Sequence, residues 1–284
     1  MAQAKKVIDE GTESTVVSTV RDDGTAVIIK HRQPQGKTHY LFEAYAYTAV
    51  GALGSHVPTV VDVDENELII SAFLGETLDD QIELYDDARL LDEVAKDLAL
   101  NRKVVFEGYG RPILDSGVYR GEYSSWHEFL MVTFDKLQRS ELLSETQKAF
   151  LILEWDNVVN DIKLDHGVLV HGDFALSAIF VRNKEYEGII DYGDAFIGDP
   201  LLDLAYFRYK EITKEYGYKL YDTLSDSYAK YSGASREYID KIVPFYMIYW
   251  AIERSHADNL PQELVVKFIE KAQVLINAFM KGTR

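Results

Sequence analysis

The 284-residue sequence predicts an α+β fold of two lobes: a small N-terminal β-sheet lobe with one helix, and a larger, mainly helical C-terminal lobe. Three observations carry the prediction. Before residue 75, β-branched runs alternate with turn signals. After Gly75, apolar residues recur at helical spacing. Within that helical part, two short apolar runs bounded by polar turns read as strands. The division is expected near residue 75, giving units 1–74 and 75–284.

The elements follow in order. Thr15–Val20 and Thr25–Ile29, joined through Asp23-Gly24, read as an antiparallel hairpin, because Asp-Gly tolerates the positive φ of a tight turn. A helical stretch covers Leu41 to Tyr47, and short strands follow at Thr59–Val63 and Glu67–Ser71. Further on, Leu91, Val94, Ala95 and Leu98 share one helix face. Ser125-Trp126-His127-Glu128 and Ser144-Glu145-Thr146-Gln147 fit the capping box that opens a helix. Val168-Leu169-Val170 and Gly188-Ile189-Ile190 read as the two strands of one small hairpin, and 238–280 as two or three helices.

Composition narrows the function. With 47% hydrophobic residues the chain has material for a core. No apolar run approaches the ~20 residues of a membrane span, and the first fifteen residues carry no signal-peptide pattern, so a cytoplasmic location is expected. The absence of Cys excludes a disulfide scaffold, a zinc–thiolate site and a cysteine nucleophile. Thirty Lys plus Arg against 47 Asp plus Glu give a net charge of −17. Such a surface argues against nucleic acid and favours a cationic partner.

Ionisable residues converge at the inserted strands. His171-Gly172-Asp173 follows the first, Asp191 ends the second, and Gly198-Asp199-Pro200-Leu201-Leu202-Asp203 comes next. If the two strands end side by side, Asp173 and Asp191 share a cavity. Paired carboxylates bind a hard divalent cation or accept a proton, although Asp also commonly closes turns. Asp199-Pro200 has a structural reading, since Asp caps a helix and Pro suits its first position. A zinc hydrolase is disfavoured because His171 has no i, i+4 partner.

Taken together, His171-Gly172-Asp173, Ile190-Asp191 and Gly198-Asp199-Pro200-x-x-Asp203-Leu204-Ala205 resemble the signature of the aminoglycoside phosphotransferase family, which has the protein-kinase-like fold. Ala26-Val27-Ile28-Ile29-Lys30 resembles the kinase strand carrying the ATP-binding lysine. Leu68 to Leu78 resembles the hinge and the turn after it. The similarity runs from about residue 7 to 210, and hygromycin phosphotransferases are the members it most resembles.

The resemblance implies an ATP- or GTP-dependent, Mg²⁺-dependent transfer to a hydroxyl. Lys30 would meet the nucleotide phosphates, held by Glu43, with Ser14 and Thr15 in the phosphate-covering loop. Ser71 and Phe73 would meet the base through their backbone. Asp173 matches the catalytic aspartate, Asp191 the metal-binding one and Asp203 a scaffold residue. One departure is marked. The position five residues after Asp173, where the family places a metal-binding Asn, is Ala178, which implies either a single strong metal site or impaired turnover. Only seven residues separate Asp191 from Asp199, too few for the activation loop that docks a polypeptide. The expected acceptor is therefore a small cationic molecule, an aminoglycoside first, or else a macrolide, choline-like or sugar alcohol. Asp194, Glu253 and Asp258 are candidates to face its ammonium groups, and no protein partner is expected.

Overall fold

The protein is described here by a computed structural model covering residues 6–11, 14–34, 36, 39–139, 143–162, 164–211 and 217–256, with 266, 270, 274–278 and 281 beyond. Strands β1 (Lys6–Glu10), β2 (Ser14–Val20) and β3 (Ala26–Arg32) are followed by helix α1 (Tyr40–Ala52), then β4 (Val60–Val63) and β5 (Glu67–Ser71). These five strands form one antiparallel sheet in the order β1-β2-β3-β5-β4. The β2–β3 hairpin forms as the Asp23-Gly24 signal predicts. Gly24 takes φ +86°, and the Asp23 carboxylate accepts the Thr25 N–H at 2.9 Å.

Period-two alternation sorts β3. Val27 and Ile29 pack with Val17 on one face, so Lys30 projects from the other, where α1 lies. Helix α1 buries Phe42, Tyr47 and Val50 against Leu68 and Ile70 of β5. That burial, rather than helix propensity, holds so aromatic a helix in place.

The chain then passes through β6 (Glu76–Thr77) to α2 (Ala88–Leu100), β7 (Val105–Phe106), β8 (Tyr109–Asp115), β9 (Val118–Tyr123), α3 (Trp126–Arg139) and α4 (Glu145–Val159). Next come β10 (Gly167–Val170), β11 (Ile179–Arg182), β12 (Glu185–Ile189), β13 (Phe196–Gly198), α5 (Leu201–Glu211), α6 (Gly217–Ser232) and α7 (Arg236–Ser255). Leu91, Val94, Ala95 and Leu98 of α2 are all buried, as their spacing predicts. Helix α2 packs on α6, and α7 packs on α3 and α5. Among the described residues no helix is long and apolar enough to cross a membrane.

Two expectations are corrected. Val168–Val170 and Gly188–Ile190 are not partners. Strand β10, buried along its whole length, runs between β7 and β13 in the sheet β7-β10-β13-β8-β9. The real hairpin is β11–β12, turned by Asn183 and Lys184, both at positive φ (53° and 64°). Two consecutive left-handed residues make the turn whose twist matches a hairpin, and this local solution overrides a pairing across eighteen residues. Secondly, the stretch after Gly75 holds another hairpin, β8–β9, turned at Ser116-Gly117. The capping boxes also differ. Ser144 and Gln147 cap reciprocally. Ser125 Oγ accepts the Glu128 N–H, but the Glu128 carboxylate turns to the N–H and hydroxyl of Ser124.

Candidate active site

The His171-Gly172-Asp173 turn leaves the buried end of β10 and is suspended from α5. Asp203, in the first turn of that helix, is wholly buried, and its carboxylate accepts the N–H groups of His171 (2.9 Å) and Gly172 (3.0 Å). Burial pushes the Asp203 carboxyl up to about 6, against the pull of those donors. Gly172 sits at φ +85°, and a Cβ there would lie 2.1 Å from the Asp194 carbonyl oxygen. The position therefore requires glycine both for its backbone and for its space. The His171 ring donates from Nε2 to the Ile190 carbonyl (2.8 Å), while its Nδ1 accepts the Asp173 N–H (3.3 Å). One imidazole thus ties the Asp173 turn to the strand end that delivers Asp191. Asp199 caps α5 through the Leu201 N–H and accepts the Tyr246 hydroxyl.

Asp191 lies across the cleft, at φ +69°. Its N–H donates to the Tyr47 hydroxyl (2.7 Å), and its Oδ1 accepts from Lys30 Nζ (2.7 Å). The same ammonium reaches Glu43 Oε1 at 2.6 Å. Burial disfavours the Lys30 charge, yet Asp191 and Glu43 together hold its pKa well above the ordinary value. The Lys30 charge in turn holds the Asp191 carboxyl low, whereas burial raises Glu43, which is 0% exposed. Tyr47 follows Glu43 by one helical turn, so α1 presents both toward Lys30.

Ser14 and Thr15 open β2 opposite Arg32 and His31. The Thr15 hydroxyl accepts from Gln33 Nε2 (2.7 Å). Thr12 and Glu13 lie outside the described residues. Ser71 ends β5, and its Oγ accepts the Thr59 N–H (2.9 Å). Phe73 packs against Phe180 and against Gly188, where a Cβ would lie 2.5 Å from its ring. The N–H groups of Leu74 and Gly75 both donate to the Glu187 carboxylate, at 3.1 and 2.8 Å. The crossing from β5 to β6 is thereby clamped onto β12.

Beside Asp173 opens a cavity of about 610 Å³ lined by Asp194, Glu253 and Arg254 together with Arg111, Tyr249 and Trp250. That volume suits a small molecule. Burial, then the neighbouring Asp173 charge, raises the Asp194 carboxyl, and Asp191 adds to the same effect. Glu253 is already neutralised, by Lys136 at 2.6 Å and by the Thr133 hydroxyl. Asp258 lies outside the described residues.

The model of the phosphotransferase enzyme family matches residues 6–238. The chain belongs to that family. No curated protein sequence matches it. Among solved structures, that of aminoglycoside phosphotransferase APH(4)-Ia is similar at TM-score 0.74 and 17% identity, over 97% of this chain and 93% of that one. A thermostable mutant of it in ternary complex with ADP and hygromycin B is similar at TM-score 0.73 and 17% identity, over 97% and 94%. A putative fructosamine-3-kinase from Thermobifida fusca follows at TM-score 0.68 and 15% identity, over 98% and 94%. At these identities the likeness is one of fold, the kinase-like arrangement of a sheet lobe and a helical lobe.

Phosphoryl transfer from a nucleotide ordinarily uses a divalent cation, and the residues offer one place that would hold it. Among the described residues no three His, Asp or Glu side chains cluster in a way that would hold a metal unaided. Mg²⁺ is usually held by one or two carboxylates with the nucleotide's phosphates completing its shell. Asp191, 55% exposed, meets that requirement. Ala178 offers no side-chain oxygen, is itself buried, and its carbonyl accepts the Ile190 N–H at 2.9 Å. The donor set fits one ion better than two.

Three participants in this phosphotransferase site escaped the sequence reading: Tyr47, Glu187 and Arg254. Tyr47 had a signal, its i, i+4 spacing from Glu43. Arg254 had none. It lies 81 residues beyond Asp173, yet its Nη2 donates to Asp173 Oδ1 at 3.2 Å.

Proposed function

We propose that this phosphotransferase moves the γ-phosphoryl group of ATP, or GTP, to a hydroxyl of a small polar molecule bearing amino groups, with aminoglycosides the first class to test. The observation that carries the reading is the Lys30 ammonium bridging Glu43 and Asp191 on the other side of the cleft from Asp173. Residues 1–74 would hold the nucleotide, with Ser14, Thr15, Ser71 and Phe73 around it, and residues 75–284 the acceptor.

The acceptor oxygen forms a bond to the γ-phosphorus while the bond to the β–γ bridging oxygen breaks, and the diphosphate leaves. Asp173 accepts the hydroxyl proton. A carboxylate serves because positioning matters more than basicity when the proton leaves late. Lys30 neutralises phosphate charge, and Glu43 keeps it aimed. Asp191 would hold Mg²⁺, which when bound offsets the charge spreading over the transferred group. Asp194 would face an ammonium group of the acceptor. An activity that consumes ATP would work in the cytoplasm.

A second acceptor class is favoured by the cavity's charge balance. Lys136 occupies Glu253 and Arg254 occupies Asp173, so fewer carboxylates remain free than a polycation would use. A sugar bearing a single amine, the kind of acceptor the name fructosamine-3-kinase denotes, suits that balance. The test is incubation of purified protein with ATP, Mg²⁺ and a panel of aminoglycosides, amine-substituted sugars, macrolides and choline-like alcohols, read by mass spectrometry. Gain of one phosphoryl group on a panel member supports the reading. If no member gains one, the acceptor assignment is wrong; if ATP is not hydrolysed either, the phosphotransfer reading falls with it.

A further inference from the structure

We propose that Arg254 is a positioning residue for Asp173, fixing the carboxylate so that its free oxygen faces the acceptor hydroxyl. The inference rests on the phosphotransfer reading above and adds a residue that no motif marks.

An arginine in the last turn of α7 could simply favour the negative end of the helix dipole in solvent. Arg254 does something different. Its guanidinium lies over the rings of Tyr206 (5.0 Å) and Trp250 (5.7 Å). Nη2 donates to the Tyr206 hydroxyl at 2.9 Å and to Asp173 Oδ1 at 3.2 Å. Nε is buried and has no hydrogen-bond partner. Leaving a guanidinium donor unsatisfied costs free energy, so the side chain is held inward by the ring stacking and the carboxylate.

The need for such a hold follows from the geometry of an aspartate. The terminal torsion of Asp is broad and roughly two-fold, so no rotamer preference orients its oxygens. The Asp203 and His171 contacts fix the backbone of the turn and do not reach the Asp173 carboxylate. Arg254 binds one oxygen, Oδ1. The planar, rigid guanidinium suits this task better than an ammonium would. Its platform is also rigid, since Trp250 donates its Nε1–H to the Leu202 carbonyl (2.9 Å) and Tyr206 lies in the same helix as Asp203. One helix, α5, therefore suspends the turn through Asp203 and aims the carboxylate through Tyr206 and Arg254.

The test uses the full-length protein with ATP, Mg²⁺ and the acceptor that the wild type modifies, or water where hydrolysis is the only turnover. Arg254→Met keeps the chain length and the packing on Tyr206 and Trp250; Arg254→Lys keeps the charge. In Arg254→Met, kcat should fall by about 100-fold, the loss a small misplacement of a reacting group produces, with KM for ATP and the melting temperature close to wild type. Arg254→Lys should recover part of that loss, as should guanidinium added to Arg254→Met at sub-denaturing concentration. Unchanged kcat in Arg254→Met overturns the proposal. So does a fall that tracks a lowered melting temperature and that neither lysine nor guanidinium restores, for that is a structural role. A wild type that turns over neither panel nor water overturns the phosphotransfer reading, and this proposal with it. A wild type that is active while Arg254→Met matches it overturns the proposal alone.

Discussion

Asp203 shows how a single buried carboxyl governs the turn that carries Asp173. It accepts two backbone N–H groups while wholly enclosed, and burial places its pKa at about 6, against an unfolded value of about 3.9. Between these values the folded state binds a proton that the unfolded state has released. Stability from this group is therefore full below about pH 4 and is lost as pH rises toward 6, by about 3 kcal/mol in all. In Asp203→Asn that slope disappears. Denaturant unfolding at pH 4, 5 and 6 should show a shallower decline than wild type, together with an overall loss of about 1–3 kcal/mol for the donor an amide leaves unmatched. Ala178 gives the second prediction at this scale. Asn at 178 adds the side-chain oxygen that the metal-side floor lacks, so Ala178→Asn should raise kcat about tenfold and lower the Mg²⁺ concentration for half-maximal rate. Nucleotide affinity, read by fluorescence titration, should stay the same. An unchanged rate would mean that another group already supplies the ligand. Single residues are partly legible in sequence: Lys30 meets Glu43, and Asp203 holds the turn backbone, as the family resemblance implies. Arg254 was not legible, because only the packing of α7 on α5 brings it to Asp173.

At the scale of elements, local chemistry decided what formed and longer-range packing decided what paired. Asp23-Gly24, Asn183-Lys184 and Ser116-Gly117 each close a hairpin by supplying positive φ, alone or in succession. The first is a strong dipeptide signal and was read; the other two are weaker and were not. The apolar runs 168–170 and 188–190 were correctly seen as strands and wrongly matched, since an apolar run states that a strand is buried and says nothing about its neighbour. The crossing between lobes is sensitive to substitution. Gly75 passes so near β11 that a Cβ would sit 2.0 Å from the Val181 carbonyl oxygen. Gly75→Ala must push β6 off β11 and pull two N–H groups away from Glu187. Chemical denaturation should record a loss of about 1–3 kcal/mol, the range for overpacking at a site that cannot yield. Wild-type stability in that variant would mean that the crossing relaxes freely.

Across the whole molecule, the charge of −17 acts on folding and on ligands in different ways. Forty-seven acidic groups on one folded chain repel one another, and ATP is an anion approaching the same field. Raising ionic strength from about 0.01 M to 0.15 M shortens the screening length from about 30 Å to 8 Å. Over that range the melting temperature should rise, and KM for ATP should fall at fixed Mg²⁺. A melting temperature that falls instead would show that surface ion pairs, such as the Arg236 contacts with Asp222 and Asp240, outweigh the general repulsion. Locally the acidity is not uniform. The cavity beside Asp173 places Arg111, Lys136 and Arg254 among its acids, so the net charge overstates how strongly it attracts a cation.

By itself the sequence determined the two-lobe α+β plan, the β2–β3 hairpin and the strand that delivers Lys30. It also placed the aspartates of the turn motifs, because turn chemistry, alternation and helix capping act over a few residues. Only the tertiary structure decided which strands are neighbours, that Lys136 occupies Glu253, and that Arg254 stands on Asp173. Those contacts join residues far apart in the chain, and they exist only once the helices of the second lobe have buried their apolar faces against one another.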